Sequence, residues 1–78
     1  MLIEIYTTAT CPYCVQAKNL LTQKNLSFKE IRVDLDPEKR EEMLKRSEGR
    51  RTVPEIFIDG KLIGGYTELF AMHQNGKI

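Results

Sequence analysis

The chain has no tryptophan, a single histidine and only two cysteines among its 78 residues. Two cysteines exclude a disulfide-stapled scaffold: secreted domains of this size lean on several bridges, and one close pair closes too short a loop to stabilise much. They also fall short of a closed tetrahedral zinc site, which needs four ligands where only Cys11, Cys14 and His73 are on offer. No apolar run is long enough for a bilayer, and the opening Met1-Leu2-Ile3-Glu4 lacks the basic-then-apolar pattern of a signal peptide. An excess of either charge is missing too. Twelve Lys and Arg against eleven Asp and Glu leave a net +1, too little to favour nucleic acid or a membrane surface. These absences predict one small domain over residues 1–78, in a reducing, cytoplasmic setting, without a metal and with electrostatics acting only locally.

What is present has a regular order. Leu2, Ile3, Ile5 and Tyr6 form a β-rich run that predicts a strand over residues 2–7. Pro12 suits a first helical turn, where its missing N–H would have been unpaired anyway, and Val15, Ala17, Leu20 and Leu21 carry a helix over residues 12–24. Asn25 is a helix stop, and residues 27–33 alternate apolar and polar side chains as a second strand. Asp36-Pro37 caps a second, highly charged helix that runs to Ser47, with Met43 and Leu44 as its apolar contribution. After Gly49-Arg50-Arg51, the runs Glu55-Ile56-Phe57-Ile58 and Lys61-Leu62-Ile63 flank Asp59-Gly60, a strong hairpin signal. Gly64-Gly65 ends the hairpin. Thr67 is expected to cap a last helix carrying Leu69, Phe70 and Met72 and closed by Asn75-Gly76. The order β-α-β-α-β-β-α predicts an α/β domain, a mixed sheet with helices on its faces.

The chemistry concentrates in Cys11-Pro12-Tyr13-Cys14, at the junction of the first strand and helix. A C-x-x-C there reads as a thioredoxin-like redox centre. Three positions let the sulfurs meet across one turn, so the pair can switch between dithiol and disulfide with little backbone movement. Only the thiolate attacks disulfides, and a free thiol is mostly protonated at neutral pH. Cys11 precedes Pro12, so the helix N-terminus should stabilise a thiolate there, while Cys14, one turn inside, gains less. Cys11 is therefore assigned as the exposed nucleophile and Cys14 as the resolving thiol, the two forming a redox-active disulfide. His73, among Leu69, Phe70 and Met72, is expected to border the core or solvent, since the helix terminus removes the need for a base.

Three separated segments converge on a resemblance. Cys11-Pro12-Tyr13-Cys14, Thr52-Val53-Pro54 and Gly64-Gly65-Tyr66-Thr67-Glu68 together resemble the glutaredoxin family, its small bacterial dithiol class, over essentially the whole chain. The resemblance implies a thioredoxin fold with a four-stranded mixed sheet flanked by three helices. It implies no bound cofactor and glutathione as co-substrate. Its substrates would be disulfide-containing or glutathionylated proteins, ribonucleotide reductase among them, in electron transport and redox homeostasis by a monomer. It also implies a cis Val53-Pro54 bond, with the Thr52-Val53-Pro54 backbone offering glutathione an edge to pair with. Gly64-Gly65 would let the ligand approach the backbone, while Thr67 and Glu68 at the last helix would receive its γ-glutamyl end. Tyr13 would shield the sulfur and contact the tripeptide. Arg50 and Arg51 are candidates for its glycine carboxylate, or simply solvated charges.

The chain departs from that pattern at three positions. Thr8 stands where many relatives carry a lysine, so thiolate stabilisation should rest more heavily on the helix terminus. Glu68 replaces the commoner aspartate, and Tyr66 occupies a position often held by a third cysteine. Three other readings compete: a redoxin reduced by a flavoenzyme or dedicated to ribonucleotide reductase, against which the Gly64 to Glu68 platform argues; an iron–sulfur cluster carrier, which Pro12 disfavours by resemblance; and a non-catalytic peptide-binding module, which would show no turnover of a mixed disulfide.

Overall fold

The computed structural model describes residues 1–78. Its elements are β1 (Ile3–Thr7), α1 (Pro12–Gln23), β2 (Lys29–Arg32), α2 (Pro37–Arg46), β3 (Glu55–Ile58), β4 (Lys61–Gly64) and α3 (Tyr66–Gln74). The sheet order is β2-β1-β3-β4, with β1 and β2 parallel and the β1–β3 and β3–β4 pairs antiparallel. This is the mixed four-stranded sheet with three helices that the sequence predicts, a thioredoxin fold.

Local chemistry sets the boundaries. The α1 helix ends in a turn where Asn25 takes a left-handed φ of 58° and the Leu26 N–H returns to the Leu21 carbonyl. The Asp36 carboxylate caps α2 by accepting from the N–H groups of Glu38 and Lys39 at 3.0 and 3.3 Å. Asp59 and Gly60, both at positive φ, turn β3 into β4 as a two-residue hairpin requires. Residue 63 is left over in that hairpin: Ile56 lies opposite Gly64 and Phe57 opposite Leu62, so Ile63 forms a bulge.

Alternation along β1 splits the core. Ile3 and Ile5 face α1 and α3, joining Ala17, Leu20, Leu21, Ile56 and Leu69 in the larger cluster. Tyr6 points the other way, packing with Ile31, Val33, Phe57 and the α2 residue Met43. Met43 is the one α2 side chain fully buried, in keeping with a mostly solvated helix.

The last helix differs from its expectation at its N-terminus. Gly65, not Thr67, is its N-cap, and Thr67 lies in the first turn; the N-terminus is closed instead by Glu68, whose carboxylate accepts from the Gly65 N–H at 2.7 Å. Of the three apolar residues the sequence places on this helix only Leu69 is buried, while Phe70 is 39% exposed. One helical turn separates positions three or four apart, not neighbours, so Leu69 and Phe70 cannot both face the sheet.

Candidate active site

The strand β1 delivers the chain to Thr7, and a short loop, residues 8–10, leads to Cys11. That loop is pinned from β2's far end: the Asp34 carboxylate accepts from the Ala9 N–H at 3.2 Å. The Arg32 guanidinium, with Ala9 adding a smaller pull, holds Asp34 well below the usual carboxylate range, at about 2. Cys11 then serves as the N-cap of α1 in extended conformation, with Pro12 as the first helical residue.

The two cysteines form a disulfide with their Cα atoms 5.2 Å apart. The Cys14 N–H donates to the Cys11 sulfur at 3.1 Å, so the helix terminus reaches that sulfur directly. The same N–H would stabilise a Cys11 thiolate after reduction. On the other side the Val53 carbonyl oxygen lies 3.7 Å from the Cys11 sulfur. Cys11 is less open than an exposed nucleophile: only 9% of it is accessible, against 1% of Cys14. The Val53 backbone and the disulfide itself cover it, so its advantage over Cys14 is relative.

Beside the disulfide lies a cavity of about 210 Å³, lined by Tyr13, Arg50, Thr52, Val53, Pro54, Gly65, Tyr66, Thr67 and Glu68. Of the residues the sequence assigns to a glutathione site, Tyr13, Thr52, Val53, Pro54, Gly65, Thr67 and Glu68 are in that lining, while Gly64 is not. The Val53-Pro54 bond is cis. Of the two candidate arginines, Arg50 borders the cavity and Arg51 does not. Arg50 donates to the Thr52 hydroxyl at 3.2 Å and lies 3.5 Å from Glu68 Oε1. Both Glu68 contacts use Oε1. The first-turn N–H groups of α3 have no intrahelical acceptor, which leaves those of Thr67 and Glu68 for an anion.

The diglycine is favoured on backbone and steric grounds. Gly64 has φ of +122°, and a Cβ there would run into the Glu68 side chain. A Cβ on Gly65 would lie 3.2 Å from the Pro54 carbonyl, tighter than ordinary contact.

Two features escape the sequence reading. Tyr66 is a wall of the cavity and stacks on the half-exposed Tyr13, ring centroids 6.1 Å apart. Its spacing from Phe70 and His73, four and seven residues on, was a helical aromatic stripe that could have flagged it. Glu55, directly after Pro54, is fully buried, and neither carboxylate oxygen has a hydrogen-bond partner. Burial pushes its carboxyl up from the ordinary value, against smaller pulls from Ser47 and Arg50. The Ser47 hydroxyl is committed to the carbonyls of Met43 and Arg50 at 2.8 and 3.1 Å, so it offers little. His73 makes its contact with Lys24, Nδ1 to Nζ at 3.0 Å, away from the sulfurs.

A strand-to-helix disulfide on this fold, with a peptide-sized cavity beside it, defines a thiol–disulfide oxidoreductase. The glutaredoxin family model matches residues 3–63. The chain is 55% identical to glutaredoxin 3 of Escherichia coli over 74 residues, covering 95% of this chain and 88% of that protein. Among solved structures it resembles a Brucella melitensis glutaredoxin, with a TM-score of 0.80, 47% identity and coverage of 96% of this chain and 80% of that one. A buckwheat glutaredoxin in complex with glutathione matches at a TM-score of 0.84 and 31% identity, covering 96% of this chain and 70% of that one. The chain belongs to the glutaredoxin family, the glutathione-dependent thiol–disulfide oxidoreductases.

Proposed function

We propose that this protein uses glutathione to reduce protein disulfides and protein–glutathione mixed disulfides, with Cys11 as nucleophile and Cys14 as resolving thiol. The observation that carries the reading is the cavity beside the Cys11–Cys14 pair, whose lining matches the ends of a γ-glutamyl-cysteinyl-glycine tripeptide. The Thr52-Val53-Pro54 backbone pairs with the ligand's own backbone. The α3 N-terminus takes the γ-glutamyl carboxylate, and Glu68, through Oε2, takes the ammonium. Arg50 attracts the glycine carboxylate, and Tyr13 covers the sulfur. A glutathione complex of the buckwheat relative supports the same ligand here.

The exchange runs in balanced steps. The Cys11 thiolate attacks one sulfur of a protein disulfide; the new Cys11–sulfur bond forms as the old bond breaks, and the departing thiolate takes a proton. Cys14 then attacks the Cys11 sulfur, releases the second protein thiol and leaves the Cys11–Cys14 disulfide of the structure. One glutathione reopens that disulfide as a mixed disulfide at Cys11. A second attacks the bound glutathione sulfur and leaves as oxidised glutathione. With a glutathionylated protein, Cys11 takes the glutathione directly and the second glutathione completes the cycle without Cys14.

The protein acts as a monomer in a reducing, cytoplasmic compartment, with no resident cofactor or metal and no nucleic-acid partner. Its protein substrates include ribonucleotide reductase among disulfide-bearing candidates. Turnover of the mixed disulfide of glutathione and 2-mercaptoethanol, coupled to glutathione reductase, tests the reading. Robust turnover there and little with thioredoxin reductase is expected; the reverse preference overturns it.

A further inference from the structure

Tyr13, Tyr66, Phe70 and His73 form a ladder of rings leading away from the sulfurs, with successive centroids 6.1, 5.9 and 6.0 Å apart. Tyr13 opens α1 beside Cys14, and the other three sit at i, i+4 and i+7 on one face of α3. Alongside runs a second groove of about 300 Å³ between α1 and α3, floored by Leu20. Gln16, Asn19 and Gln23 wall it on the α1 side and the α3 rings on the other. Tyr66 lines both this groove and the cavity beside the disulfide, so the two adjoin across its ring. Tyr13 and Phe70 stay 59% and 39% exposed. At the far end Lys24 Nζ lies 3.0 Å from His73 Nδ1, which sets the lysine side chain at that end of the ladder.

We propose that this groove docks the polypeptide of a disulfide-bearing protein substrate, in an extended stretch next to the cysteine that bonds to Cys11. The inference rests on the glutathione-dependent reading above and adds the protein-recognition surface of that same site. Its parts match such a chain. Amide side chains carry both donors and acceptors, so they pair with an extended backbone whatever its sequence. The Phe70 ring packs an apolar side chain. The Lys24 end favours an acidic residue. An extended chain rises about 3.3 Å per residue, so the three ring-to-ring steps fit a stretch of about five residues. The tripeptide glutathione is spent on the first cavity and has no length left for the second.

The test compares two substrates on the full chain. The first is the mixed disulfide of glutathione and 2-mercaptoethanol, which needs the first cavity alone. The second is a peptide with an intramolecular disulfide flanked by leucine and glutamate. Phe70→Ser should leave kcat/KM for the small substrate unchanged and lower it for the peptide about five- to tenfold, mainly through KM. Lys24→Glu should lower it for that peptide and raise it when the peptide's glutamate is replaced by lysine. An unchanged peptide kcat/KM in Phe70→Ser, or equal losses on both substrates, overturns the proposal. So does a dimer of the unaltered protein that Phe70→Ser dissolves, because a second copy is then the occupant. No turnover of the small substrate by the unaltered protein overturns the glutathione reading itself, and the docking inference with it.

Discussion

The two faces of the sheet are held by different physics. On the α1/α3 face, seven buried apolar residues make a dry core, and the cysteine pair, the cavity and the aromatic ladder all lie at its upper edge. On the α2 face the apolar cluster is smaller and charge does part of the holding. Arg46 of α2 lies over the Phe57 ring at 4.1 Å, donates to the Tyr6 hydroxyl at 2.8 Å and pairs with Glu4 at 2.9 Å. The Tyr6 hydroxyl donates in turn to Glu42 at 2.7 Å. Burial, reinforced by Glu42 and opposed by Arg46, pushes the Tyr6 phenol up to about 12, so it remains a donor across the working pH range. Because polar geometry is directional while apolar burial is not, the α2 face fixes how α2 sits, and the other face fixes where the chemistry sits.

If that division is real, changes on one face alter turnover and changes on the other alter stability. The largest effect is expected from Cys11→Ser, which should remove more than about a thousandfold of disulfide exchange because no other sulfur takes the Cys14 N–H. Appreciable turnover in that variant would reverse the roles of the two cysteines. Cys14→Ser should split the activities, keeping most deglutathionylation while protein-disulfide reduction falls about tenfold or more, since release then loses a local attacker of high effective concentration. Equal loss of both activities would mean that Cys14 also activates Cys11.

On the α2 face, Arg46→Ala should cost about 2 kcal/mol in a denaturant titration through its ring contact and its partly buried ion pair. Its turnover of a small mixed disulfide should stay at the parent level; a matching loss of kcat would show that the two faces are coupled.

The smallest effect concerns Glu55. Its folded carboxyl is raised, so the folded state holds a proton the unfolded chain has given up. Its contribution to stability is full below the ordinary carboxyl value, about 4.3, and is lost as pH rises through the folded value. Glu55→Gln should therefore melt higher than the parent at pH 7, with the difference shrinking towards pH 4. The lowered carboxyls of Glu30 and Glu42 give the opposite slope, losing their stabilisation as pH falls, and both are shared by the two proteins. A Gln variant whose advantage persisted unchanged at pH 4 would rule out ionisation as the cause.

The elements were legible because each is written in local terms. The proline after Cys11, Asn25, Asp36-Pro37 and Asp59-Gly60 each dictate a backbone state without reference to distant residues. The cavity lining was legible only as a family pattern, since nothing local in Thr52 or Glu68 says that they meet. What was hidden depends on tertiary placement. Glu68 takes over the capping of α3 because Gly65 has no side chain to do it, so Thr67 is not needed as a cap. Phe70 is as apolar as Leu69, yet the turn of α3 that buries Leu69 carries it outward. Glu55 was read as an ordinary strand residue. Pairing with Tyr6 in the middle of the sheet, under Ser47, removes it from water.

The bulge at Ile63 also bears on how the sheet's edges are protected. The sheet ends in β4 on one side and β2 on the other, each four residues long. A straight edge strand invites other chains to add on. The bulge interrupts the β4 hydrogen-bonding row near its end, while Lys29, Glu30 and Arg32 set charges along β2. Neither rim offers a long flat template. Both rims are thereby poor places for a further strand to add edge to edge.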